Sequence, residues 1–212
     1  MNKTPQAALF LPTNALKVLA FLADHPGQAF LSSEILGALS MSRAGVYLAL
    51  QELVAGGIAS RRARGRFHLY AVDPALPQVK LFKALQNAVL LEPLLARLQG
   101  ISIKIILFGS AGRGEDSSLS DIDVFILTRN PEKTRDILSS FSCGRKIQPI
   151  VVVPAEWRGF RENNRVFWSE IDRGIVLWEE RDESGLSGLP AEREGQAVFQ
   201  RKVSGRKRAR IC

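Results

Sequence analysis

Apolar positions along the chain change their period, and the change marks out its elements. Over Thr13 to Asp24, TNALKVLAFLAD, they recur at three- and four-residue intervals, which predicts an amphipathic helix with Thr13 or Asn14 as N-cap. His25-Pro26-Gly27 ends it. Ser32 or Ser33 opens a short second helix that reaches Leu39, and Ser42 caps a third from Arg43 to Ala55. On this third helix Val46, Leu50 and Leu53 or Val54 share one face, while Arg43, Tyr47 and Gln51 fall on another. Gly56-Gly57 terminates it, and Ile58 to Arg62 and Arg66 to Val72 read as two strands joined through Arg64-Gly65.

Asp73-Pro74 and Pro77 then interrupt the pattern. Gln78 to Gln99 reads as a long, mostly apolar helix that Pro93 kinks or breaks, and Gly100 releases the chain into a strand from Ile101 to Phe108. A second strand is expected from Ile122 to Thr128. Asn130-Pro131 starts a helix to Phe141, Ile147 to Val153 is a third strand, Pro154-Ala155-Glu156 opens a further helix, and Glu162 to Asp172 is helical with Phe167 and Trp168 as core anchors. Gly174 precedes a last short strand, IVLW. The alternation predicts an α+β chain whose second part is a small mixed sheet with helices on one face. Beyond Trp178, EERDESGLSGLPAEREGQ has little to bury and is expected to be a disordered linker to a basic tail, so that the chain divides at residues 1–74, 75–180 and 181–212.

Charge sharpens this division. The net charge is +8, distributed as +4 over residues 1–72, −2 over 73–200 and +6 over 201–212, so attraction to nucleic acid belongs to the two ends. Arg61, Arg62, Arg64 and Arg66 crowd the predicted hairpin without an intervening acid, an arrangement suited to DNA phosphates, with Arg43, Tyr47 and Gln51 as candidate groove-facing residues. Two cysteines and two histidines rule out a disulfide framework and a Cys/His zinc site. With no run of about 18 apolar residues and no export signal, the chain is expected to be soluble and cytoplasmic.

The candidate chemistry lies in the middle. Gly109 to Asp123, GSAGRGEDSSLSDID, follows the apolar strand IKIILF and returns to two aspartates one residue apart. In an extended segment Asp121 and Asp123 share one face while Ile122 and Val124 point into the core. Two carboxylates side by side repel unless a cation lies between them, and Mg²⁺ favours one or two carboxylates together with phosphate oxygens. Gly109 permits close approach of a ligand to the backbone, and Ser110 can begin a helix whose N–H groups attract anions.

Gly-Ser, three residues, Gly114, five residues and then Ser120-Asp121-Ile122-Asp123, entered and left along apolar strands, resembles the signature of the DNA polymerase beta superfamily, in particular its minimal nucleotidyltransferases. The resemblance implies that Gly109 and Ser110, with Arg113, Gly114 and Ser120, bind the nucleoside triphosphate. It also implies that Asp121 and Asp123 hold Mg²⁺ and support attack on the α-phosphate. The family adds a third carboxylate on a later strand, but KIQPIVVV contains none, and Gln148 or Pro149 stands in that neighbourhood. Two ions are expected if a third ligand exists and otherwise one; Glu156, just beyond the strand, is either a substitute ligand or an acid that compensates the dipole of the helix it opens. Likewise SMSRAGVYLALQELVAGGIASRRARGRFHLYAV resembles winged helix-turn-helix regulators, which implies a DNA-binding N-terminal domain with its third helix in the major groove.

Two functions fit. One is nucleotidyl transfer from an NTP to an acceptor hydroxyl of unspecified kind, coupled to binding of duplex DNA. The other is a transcription regulator whose nucleotidyltransferase-like domain senses a nucleotide without turning it over. A homodimer is compatible with either, and no membrane is implicated.

Overall fold

A computed structural model describes residues 13–180, so the expected disordered linker and the basic tail lie outside the described residues. The N-terminal part opens with helix α1 (Asn14–Ala23), where the Thr13 hydroxyl accepts from the Leu16 amide at 3.3 Å. Strand β1 (Phe30–Leu31), helix α2 (Ser32–Ala38) and helix α3 (Arg43–Ala55) follow. Ser42 caps α3 by accepting from the Gly45 amide at 3.0 Å. Strands β2 (Ala59–Arg64) and β3 (Phe67–Val72) form the hairpin.

β1 is too short to carry a period of its own and was not expected. It pairs antiparallel with β3, which makes a three-stranded sheet of order β1-β3-β2. Val18, Leu22, Ile35, Val46, Leu50 and Leu53 fill the space between the helices and this sheet. Arg43, Tyr47 and Gln51 lie on the exposed side of α3, as the helical period required.

The long helix expected after Pro77 is two helices, α4 (Pro77–Leu90) and α5 (Glu92–Leu98). The break falls at Leu91, two residues before Pro93, where proline's missing N–H and bulky ring oppose a continuous helix. Strand β4 (Ser102–Phe108) leads to a single tight turn, α6 (Gly109–Arg113), and strand β5 (Ile122–Thr128) to helix α7 (Pro131–Ser139). Strand β6 (Ile147–Val152), helices α8 (Pro154–Asn163) and α9 (Arg165–Asp172), and strand β7 (Ile175–Glu179) complete the described chain.

These strands form one mixed sheet of order β6-β5-β4-β7, with β5 and β6 parallel and the other neighbours antiparallel. Helices cover both faces, which corrects the expectation of one. The reason is legible in β4 and β5: IILF and VFIL are apolar at consecutive positions, so both faces must be buried. Leu107, Val124 and Ile126 face α5 and α7, whereas Ile106, Phe108, Phe125 and Leu127 face α8 and α9. On that second face Phe125 meets Trp157, Phe160 and Trp168 at centroid distances of 5.5, 5.9 and 5.7 Å. Trp168 is thus the core anchor expected of it. Phe167 remains 38% exposed, because the next residue along a helix points about 100° away.

Candidate functional site

The end of β4 and the start of β5 are antiparallel neighbours, and Phe108 stands directly opposite Asp123. Strand alternation puts Asp123 on the α8/α9 face, in line with Phe125, while Ile122 and Val124 are buried on the other. Between the two strands the chain turns through Gly109, whose φ of +64° lies in the left-handed region. A Cβ there would collide with the Asp123 carboxylate, so this glycine gives the acid its room.

Gly114 closes the same turn at φ +65°, and a side chain on it would run into the Lys80 carbonyl of α4. The turn is therefore seated on α4. The expected helix at Ser110 is only the five residues of α6, too short to carry a substantial dipole, so the corner offers backbone N–H groups and a hydroxyl instead of a helix terminus.

Electrostatics at Asp123 follow from this placement. Its carboxyl is held above the usual range, first by burial, then by the Asp121 charge and by Glu170 of α9, with Arg113 opposing. Among the described residues none donates a hydrogen bond to it. Asp121 accepts from the Lys146 ammonium at 3.0 Å. Arg113 is bound by two acids, Glu115 at 2.9 Å and Glu170 at 3.0 Å, which raise its pKa in that order. Glu115 in turn sits lower than an ordinary carboxylate because Lys80, and then Arg113, bond to it.

Ser120 has its hydroxyl inside the turn, 2.9 Å from the Ser117 amide and 3.1 Å from the Ser117 hydroxyl. The strand that lacks an acid places Gln148 in parallel register with Asp123, and Pro149 opposite Val124. Glu156 begins α8 at the other end of β6, remote from Asp123, which corrects its candidacy as a substitute ligand.

Mg²⁺ is implied by the fold family, and the donor set can be judged on this geometry. Two carboxylates, one destabilised by burial and by its companion and cradled against a glycine, suit a hard cation that completes its shell with phosphate oxygens. No cluster of three or more Cys, His, Asp or Glu residues able to hold a metal occurs among the described residues. Asp121 and Asp123 are the two carboxylates that this corner offers to such an ion.

A buried polar network supports the turn, and no motif announced it. Asp116 is 3% exposed; its carboxylate accepts from Asn87 at 3.1 Å and from Arg145 at 2.8 Å, with the Lys83 ammonium at 3.8 Å. Arg145 also donates from Nε and Nη2 to the Ser120 carbonyl, at 3.1 and 2.9 Å, and so grips the peptide immediately before Asp121. Lys83 reaches into the N-terminal part, bonding the Ala23 carbonyl at 3.1 Å and the Asp24 carboxylate at 3.2 Å. The Ser118 amide donates to the Asp24 carbonyl at 3.3 Å. Such a cluster depends on contacts between distant segments, so sequence spacing cannot reveal it.

A family model described as a nucleotidyltransferase domain matches residues 90–203, more than half of the 212-residue chain. The chain belongs to that family. No curated protein and no solved structure matches it significantly. Domains of this kind act on a nucleoside triphosphate and generally use Mg²⁺. No helix among the described residues is long and apolar enough to cross a membrane.

Two outcomes follow from the electrostatics. Because the folded-state pKa of Asp123 is raised, its penalty is absent at pH values below the unfolded carboxylate range and grows as pH rises through the folded value. Asp123→Asn should therefore raise the melting temperature at neutral pH, with the gain disappearing in acid; a lowered melting temperature at pH 7 would contradict the repulsion. Asp116→Ala leaves two buried cations without their shared partner and should lower unfolding free energy by about 3–5 kcal/mol, read from urea denaturation.

Proposed function

We propose that the protein transfers a nucleoside monophosphate from an NTP to an acceptor hydroxyl, and that its N-terminal part binds duplex DNA. The observation that carries the first part is the Asp121–Asp123 pair set against Gly109, with Asp123 pressed so close that only glycine fits. In this reading Gly109 and Ser110 receive the triphosphate, and Gly114 and Ser120 shape the turn that presents them. Arg113 leaves Glu115 and Glu170 for the phosphates.

Bound Mg²⁺ would supply positive charge between the two aspartates and the phosphate oxygens, offsetting charge that develops as the bond to the leaving group breaks. The acceptor oxygen forms a bond to the α-phosphorus, the bond from that phosphorus to the bridging oxygen breaks, pyrophosphate departs and the hydroxyl proton passes to solvent.

Gln148 opposite Asp123 favours a second reading, in which the same corner binds a nucleotide as a sensor without turnover. An amide cannot serve as a general base or as an anionic ligand, so the two readings differ in the product they form. Incubation with each α-labelled NTP and Mg²⁺ separates them. Label transfer or pyrophosphate release abolished in the Asp121→Asn, Asp123→Asn variant supports transfer, whereas Mg²⁺-dependent thermal stabilisation by NTP without pyrophosphate supports the sensor. Equal product from wild type and variant refutes the site.

For DNA, we read residues 1–74 as a winged helix-turn-helix domain preceding a nucleotidyltransferase-like domain over 75–180. Support comes from the exposed face of α3, where Tyr47 and Gln51 are joined by a 2.7 Å hydrogen bond, and from Arg61, Arg62 and Arg64 along exposed β2. Arg61 also contacts His68 at 2.7 Å, and Arg66 lies over Phe67 at 5.1 Å, which orders part of the hairpin's charge. A homodimer would present two such helices to adjacent half-sites. Replacing Arg61, Arg62, Arg64 and Arg66 by Gln should weaken binding to every duplex and reduce the slope of log Kobs against log salt by up to roughly 3–4. An unchanged slope would remove the hairpin from the interface.

A further inference from the structure

Phe108, Asp123 and Gln148 lie side by side across β4, β5 and β6 on one face of the sheet, at the strand ends nearest Gly109. Helix α9 overhangs one end of this row. Its Ile171 is fully buried, and Trp168 is tied into the core by Trp157 at 4.6 Å and Phe125 at 5.7 Å, so the helix is fixed in rotation. One side of it consequently faces the acid pair. Glu170 on that side reaches Arg113 of α6 at 3.0 Å and contributes to the raised pKa of Asp123.

One turn earlier, Phe167 stands edge-on to Phe108 at 5.9 Å and 81°, and lies 6.4 Å from Phe160. Opposed residues of an antiparallel pair are roughly 5 Å apart, so Phe108 spans the interval between the Phe167 ring and Asp123. Phe167 nevertheless keeps 38% of its surface in water. A large ring that is held on its inner side by two aromatics and bare on its outer side offers a rigid apolar surface next to the charged corner.

We propose that Phe167 is the stacking platform for the base of the nucleotide whose phosphates occupy the Gly109–Ser110 corner. This rests on the nucleotide reading given above and adds the half of the substrate that the motif does not address. Stacking uses the π-face common to all bases, so the platform contributes affinity to purine and pyrimidine nucleotides without strong selection between them. Phe167 would act in binding and take no part in bond making.

The test compares two ligands that share the phosphates and differ in the base: Mg²⁺-ATP and Mg²⁺-tripolyphosphate, titrated calorimetrically into the full chain. Phe167→Ala should weaken ATP binding about 10- to 100-fold while leaving tripolyphosphate within about twofold. Phe167→Leu keeps apolar bulk against Phe108 and should retain the wild-type melting temperature, yet lose ATP affinity in the same way; Phe167→Tyr should restore it. Equal losses for both ligands in the Leu variant would show that Phe167 merely supports the scaffold, and unchanged ATP binding would show that no base rests there; either overturns the platform. Wild-type protein that binds neither ligand would overturn the phosphate site itself, and the platform with it.

Discussion

Two acids of like charge held one residue apart are the constraint that the surrounding structure answers. Burial raises the energy of the Asp123 carboxylate, and the neighbouring Asp121 charge adds to that penalty. Arg113 relieves it only in part, since its guanidinium is shared between Glu115 and Glu170. The fold therefore stores unfavourable electrostatics at one end of its two central strands. It tolerates them because β4 and β5 are buried on both faces and cannot shift to separate the charges.

The turn between those strands is held from behind by a different kind of bond. Asp116, Arg145, Asn87 and Lys83 are largely removed from water, and each has more than one partner. Interactions of this type add little net stability compared with an apolar core of the same size, but they are directional. Here the direction matters: Arg145 fixes the carbonyl before Asp121, and Asn87 holds the Ala111 carbonyl at 3.0 Å within α6. Both ends of the loop that carries the acids are set by side chains from α4 and the approach to β6.

Much of the fold could be read from the chain because its cues were local. The caps at Thr13, Ser42 and Asn130 appear as bonded caps, and β5 spans Ile122–Thr128 as its apolar run required. Pro93 divided a helix whose periodicity alone ran on. What escaped was non-local: two-residue β1 exists only through β3, helices on both faces follow from burial of whole strands, and Phe167 differs from Trp168 only in the direction each points. The acids and glycines of the site were visible as spacing. Their supports, Asp116, Arg145 and Glu170, were three unremarkable charged residues until folding brought them together.

The seat of Lys83 has a consequence for how this protein can be divided. Its ammonium is anchored by the last carbonyl of α1 and the carboxylate of Asp24, while the Ser118 amide leans on the Asp24 backbone. A fragment severed at the Asp73-Pro74 junction would bare that lysine and slacken the loop bearing the aspartates, even though every motif residue remained on the retained piece. Shuffling of the two halves between proteins is thereby restricted, since a new N-terminal neighbour must bring its own acceptor to the same spot.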